Sequence, residues 1–197
     1  LFEDFNNYVK VDPNSRIKIN KTEIESQMVK NEIVWLYKDM GKDYFGDFKL
    51  NLATMYLDSN IDPKDQTSYN HFASWENAIE SMHIQVLNGK PLIYVLWYKF
   101  KNENKPRLEI KQMKFKNDVP KWSGFLEPNT WYYLTIEKLN KVFSLAIYKD
   151  PERKQLMHKL QIELTENFRF QYFVASQCYQ LNRNSWLKAR SKDYEWK

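Results

Sequence analysis

Aromatic planes and side-chain amides are the groups from which this sequence can build a recognition surface, and it is rich in both. Tryptophan occurs 7 times and tyrosine 13 times. A flat indole or phenol ring covers the apolar face of a sugar, while an amide or carboxylate beside it takes up the hydroxyls. Trp97, Trp122, Trp186 and Tyr179 are the candidate rings, with Gln171, Gln177 and Asn182 as their polar neighbours. The competing use of the same residue types is packing, because aromatic side chains fill the interiors of thick two-layer proteins.

The acidic residues suggest less. Hydrolysis of a glycosidic bond needs two carboxyl groups flanking it, and no Glu-x-Asp-x-x-Glu run occurs. Glu109, Glu137 and Glu163 each stand alone among Lys or Gln, the pattern of surface solvation. Asp58, Asn60 and Asp62, with Asp65 close by, place oxygen ligands at alternate positions, as in a loop that wraps Ca²⁺. That stretch lacks the turn glycine and the closing glutamate, and Pro63 favours a simple turn; the expected cofactor is therefore none, or Ca²⁺ at this loop. Cys178 is the single cysteine, so no intramolecular disulfide and no thiolate metal cluster can form, and a buried free thiol is expected.

These groups must be positioned mainly by strands. Short stretches rich in aromatic and β-branched residues alternate with period two and are bounded by Asn, Asp, Pro and Lys. Residues 92–100 are apolar on both faces and read as a central strand. Residues 107–115 alternate with one wet face and break phase near Gln112, which suggests a bulge. Residues 131–138 and 142–149 read as a hairpin, with Leu134 and Ile136 opposite Phe143, Leu145 and Ile147. Residues 156–164 and 168–179 read as a second hairpin. Residues 8–11, 16–19, 23–28, 34–38 and 44–56 supply further strands. Phe72, Trp75, Ile79 and Met82 recur at steps of three and four, predicting one short amphipathic helix near residues 70–82.

Length and composition fit this reading. The 197 residues suit one large sandwich, 1–197, with hydrophobic residues at 43% to fill its core. The net charge of +5 comes from 30 basic and 25 acidic residues interspersed along the whole chain, which argues against a nucleic-acid footprint. No apolar run approaches a membrane span, so no membrane insertion is expected. Only 4 glycines and no repeat argue against a propeller or tandem array. The start, Leu1-Phe2-Glu3-Asp4-Phe5, has no initiating Met and no signal-like core and reads as an excised piece of a larger protein.

Several strings resemble one family. They are Phe5 to Tyr8 followed by Val11-Asp12-Pro13-Asn14-Ser15-Arg16-Ile17, then Tyr37-Lys38-Asp39 through Tyr44-Phe45-Gly46-Asp47-Phe48, and Trp75 with Asn77. Trp131-Tyr132-Tyr133-Leu134, Ile147-Tyr148-Lys149-Asp150 and Phe168-Arg169-Phe170-Gln171-Tyr172 complete the order. In this order the chain resembles the concanavalin A-like, laminin-G-like jelly rolls of phage, viral and environmental prokaryotic proteins. The resemblance implies an all-β fold of two antiparallel sheets. It also implies recognition of a carbohydrate or surface polymer, as in a lectin, in an extracellular, cell-surface or virion setting with possible protein partners in an assembly. A purely structural role is the first alternative. A polysaccharide lyase or glycoside hydrolase is the second: jelly-roll lyases pair a Tyr and a His for proton transfer, and His83-Ile84-Gln85 with Tyr172 to Gln180 resembles their motifs in outline. That reading puts His83, Gln85 and Tyr179 in catalytic roles. The motif order differs, however, and the early Arg-rich strand of those enzymes is missing. The closing segment 184–196, rich in Trp, Lys and Arg, departs from the family pattern.

Overall fold

The computed structural model describes residues 1–179 and 181–197. Among the described residues fourteen strands form two antiparallel sheets of seven strands each. The first sheet runs, from edge to edge, β1 (Val9–Val11), β4 (Val34–Asp39), β13 (Tyr172–Cys178), β6 (Thr67–Glu76), β7 (Leu92–Phe100), β8 (Arg107–Met113) and β9 (Lys121–Trp122). The second runs β12 (Leu156–Glu163), β11 (Val142–Tyr148), β10 (Tyr132–Leu139), β5 (Phe48–Asn60), β14 (Trp186–Trp196), β3 (Glu23–Val29) and β2 (Ile17–Asn20). The all-β, two-layer expectation holds. Among the described residues no helix is long and apolar enough to cross a membrane.

Alternation explains which side chains meet between the layers. On β7, Ile93, Val95 and Trp97 point into the shared interior, while Leu92, Tyr94 and Leu96 pack on the opposite, outer face of the same sheet. The strand is therefore buried on both sides, as its uninterrupted apolar run requires. The β10–β11 hairpin pairs Leu134 with Ile147 and Ile136 with Leu145, and Asn140 turns the chain at φ 53°. Several interior polar groups are paired across the two layers. The Asn70 amide donates to the Ser26 and Leu187 carbonyls at 3.2 and 3.1 Å, and the Trp97 indole donates to Thr54 Oγ1 at 2.8 Å.

Three local expectations are corrected. Among the described residues the one α-helix, α1, spans Met82–Leu87, and residues 70–76 lie in β6 instead. The cause is a register shift between His71 and Ala73. Phe72 and Ala73 consecutively face the interior there, so Phe72 and Trp75 acquire a helical spacing on an extended backbone. Residues 156–163 and 172–178 are not hairpin partners. β12 pairs with β11, whereas β13 crosses to the first sheet between β4 and β6. The linking segment buries Leu164, Phe168 and Phe170, and Phe170 bridges to Phe45, so the segment closes one end of the sandwich instead of turning back on itself. Finally, the β7–β8 register is continuous through Gln112. The phase change there marks the end of β8 at Met113.

Candidate functional site

The outer face of the first sheet carries most of the chemistry that this fold leaves outside the core. Its centre is a strip of buried polar side chains from β6 and β13, roofed by α1. Glu76 is fully buried and accepts from Ser74 Oγ, Gln85 Nε2 and Gln177 Nε2, each at 2.6 Å. Burial pushes its carboxyl up to about 7, the three donors holding it lower than burial alone would. Five residues earlier on β6, His71 is 2% exposed and lies edge-on to Tyr69 and Tyr94. Neither imidazole nitrogen has a partner, and desolvation lowers the group to about 3, so it is neutral at ordinary pH.

The positions that the sequence proposed for proton transfer converge on this strip. Gln85 reaches down from α1 to Glu76, while His83 on the exposed side of the same helix stands edge-on to Tyr179, ring centroids 6.1 Å apart. Gln177 and Tyr179 are buried, and desolvation raises the Tyr179 phenol well above its ordinary range. Two amides meet the Glu76 carboxyl here, and Glu76, Gln85, Gln177 and Tyr179 are all buried. Gln180, the last residue of the string resembling the lyase motif, lies outside the described residues.

The flank of the same face, toward β9, is open. Trp122 is 39% exposed, and its ring sits 5.8 Å from Phe100 and 6.3 Å from Tyr98. Phe100 and Tyr98 are 4.8 Å apart, so the three rings form a continuous aromatic surface. Its rigidity comes from Glu109 on the neighbouring strand. One carboxylate oxygen accepts from Trp122 Nε1 at 2.7 Å, and the other accepts from the Tyr94 hydroxyl at 2.8 Å. Glu109 is 3% exposed, and burial raises its carboxyl. This corrects the solvated-surface expectation for Glu109: flanking lysines suggested solvent, but β9 covers that edge of the strand. Arg107, two residues earlier on the same face, lies over the Phe125 ring at 4.0 Å and is held by Glu103. Phe125 and residues 102–105 border a cavity of about 400 Å³ at the end of the flank.

The remaining candidates are scattered. Trp97 is sealed in the interior at 0% exposure, so its ring presents no face to a ligand. Trp186 is half-buried at the start of β14, in the second sheet. Gln171 precedes β13 and donates to Asp39 at 3.0 Å. Asn182 is exposed on a left-handed turn with φ 54°. Asp58 accepts from the Ser59 amide, and Asp62 accepts from the Lys64 and Asn184 amides; Asn60 ends β5. The two carboxylates accept from backbone amides of turns, and among the described residues no group of three His, Cys, Asp or Glu side chains gathers. Glu76, His71 and Glu109 were missed because single polar residues in apolar strands carry no signal of which face they occupy. The apolar–polar alternation Leu108-Glu109-Ile110 was the available clue for Glu109.

No family model matches this chain, and no curated protein matches it. Solved structures do. A functionally unknown protein from Saccharomyces cerevisiae is similar with a TM-score of 0.62 at 9% identity, over 98% of this chain and 97% of that one. The marine PL7 alginate lyase AlyA1 from Zobellia galactanivorans gives 0.56 at 7% identity, over 95% and 82%. The alginate lyase AlyC3, solved in complex with dimannuronate, gives 0.54 at 14% identity, over 89% and 74%. At such identities the likeness speaks for architecture alone: the two seven-stranded sheets form a concanavalin A-like jelly-roll sandwich.

Proposed function

We propose that this chain is a non-catalytic module that binds a carbohydrate or another surface polymer on the flank of its first sheet, within a larger extracellular, cell-surface or virion protein. The observation that carries the reading is the exposed Trp122 ring, oriented by a buried carboxylate and continuous with Phe100 and Tyr98. A fixed aromatic plane binds without losing much side-chain freedom, which is what a ring-stacking site requires. Arg107, beside the platform, adds a planar donor suited to hydroxyl or acidic groups. The sugar-bound alginate lyase of the same fold supports the reading by analogy.

Of the residues a lyase reading would use, His83 is exposed but Gln85 and Tyr179 are buried, which disfavours a Tyr–His proton transfer, since that step needs both groups within reach of the substrate. The test is a broad glycan array probed with the native chain and with Trp122→Ala. Binding that the substitution abolishes supports the proposal. A blank array, with self-association in a solution mass measurement, would favour a structural or assembly role instead. Unsaturated product absorbing in the ultraviolet would establish a lyase.

A further inference from the structure

A second concave site lies at the opposite end of the strands. The flank platform adjoins the Phe100 end of β7, and the Leu92 end lies about 26 Å away at roughly 3.3 Å per residue. There, beyond the end of β4, the loop leading into β5 and the last residues of β14 enclose a cavity of about 330 Å³. Its apolar walls are Tyr44, Phe48 and Trp196, and its polar rim includes Glu3, Asp47 and Lys49.

The walls are fixed before any ligand arrives. Phe48 stacks on the buried Trp75 with centroids 4.4 Å apart, and Trp196 packs on Phe45 at 5.1 Å. The Trp196 indole donates to Glu3 Oε1 at 3.1 Å, while Glu3 Oε2 accepts from the Tyr8 hydroxyl at 3.1 Å and from Lys38 Nζ at 3.0 Å. Glu3 is thus consumed in holding the indole. Tyr44 is 56% exposed and leaves its ring available at the mouth.

The rim has hydrogen-bonding capacity to spare. Asp47 Oδ1 accepts the Asn140 amide at 2.7 Å and lies 3.7 Å from the buried Lys138 ammonium, Asp47 Oδ2 takes no hydrogen bond among the described residues, and Lys49 Nζ lies 4.0 Å from Glu137. Each of these rim charges has an opposite partner, Glu3 with Lys38, Asp47 with Lys138, Lys49 with Glu137 and Lys197 with Glu195, so none of them stands ready to select an ion. Fixed aromatic walls, one free carboxylate oxygen, one loosely paired ammonium and a volume near the small end of ligand sites together describe a holder for one polyhydroxylated ring.

We propose that this cavity is a separate site for a single uncharged sugar residue at the end of a glycan chain, which would make the module bivalent along its long axis. The inference extends the carbohydrate reading of the flank but stands on different residues. Two points of attachment on one rigid sandwich raise avidity for a multivalent surface without any new contact.

The experiment titrates the full chain with methyl glycosides of glucose, galactose, mannose and N-acetylglucosamine at millimolar concentrations, followed by saturation-transfer NMR. The expected result is binding of at least one glycoside, weakened roughly tenfold or more by Tyr44→Ala and unchanged by Trp122→Ala. Thermal denaturation confirms that Tyr44→Ala, which trims an exposed ring, remains folded; Tyr44→Phe, which keeps the ring, should retain most of the affinity. The proposal is overturned if no glycoside binds, or if Tyr44→Ala binds as well as the native chain. Loss of polymer binding in Trp122→Ala, with the methyl glycosides still bound, separates failure of the flank from failure of this cavity.

Discussion

The indole of Trp122 is tied to Glu109 at 2.7 Å, an exposed ring anchored on a buried carboxylate that also holds the Tyr94 hydroxyl. Removing the ring and removing its anchor should therefore have different consequences. Trp122→Ala is expected to weaken polymer binding about tenfold or more with little change in stability, because the ring is more than a third exposed. Glu109→Ala orphans two donors, one of them on the buried Tyr94, and should cost about 1–3 kcal/mol in urea denaturation as well as binding. If the two variants prove equally stable, the anchor role is wrong.

Glu76 and His71 give the protein two opposed pH dependences. The folded state raises Glu76 from the ordinary 4.5 to about 7, so it holds a proton that the unfolded chain has released. Its stabilising contribution is complete below about pH 4.5 and is lost as pH rises to 7. His71 is lowered from 6.5 to about 3, so the unfolded chain holds the extra proton. Its contribution is complete above about pH 6.5 and is lost as pH falls to 3. Between about pH 4.5 and 6.5 the slopes oppose one another at roughly 1.4 kcal/mol per pH unit each.

Single substitutions should unmask each slope. Over that window Glu76→Gln is expected to become more stable as pH rises, and His71→Phe less stable, relative to the flatter native profile. Urea denaturation at half-unit steps checks this; parallel profiles for all three proteins would show that neither group is held as described.

Trp97 lies at the centre of the interior with its indole on Thr54. Trp97→Ala should cost about 3–5 kcal/mol, the usual range for deleting a large buried ring. Any glycan affinity measured on the remaining folded fraction should match the native value. A specific affinity loss without destabilisation would place the ring outside the core.

Cys178 is 3% exposed, and burial pushes its thiol up to about 12. Iodoacetamide at pH 8 should leave it unmodified in the native protein and alkylate it in denaturant, as intact mass spectrometry would show. Rapid native labelling would mean that the end of β13 opens readily.

The strands and their hydrophobic faces were legible in the chain because period-two alternation is a local property. The β10–β11 hairpin, with Leu134 opposite Ile147, and the doubly buried β7 both follow from short windows of sequence. Where the pattern misled, one inserted residue or one change of sheet was responsible. The bulge at His71 made Phe72 and Trp75 look helical, and the crossing of β13 separated it from β12.

The candidate sites were less legible, since they depend on which strands become neighbours. Trp97 and Trp122 are alike as residues, yet a central strand seals the first and an edge strand exposes the second. Likewise Glu109 meets Trp122 across the β8–β9 pair, and Glu3 meets Trp196 from nearly opposite ends of the chain. Sequence by itself determined the alternation that makes strands and a two-layer core, because burial of apolar surface needs only local periodicity. Tertiary structure decided which rings reach solvent and which carboxyls are buried, because strand order and edge coverage are set by contacts between segments far apart along the chain.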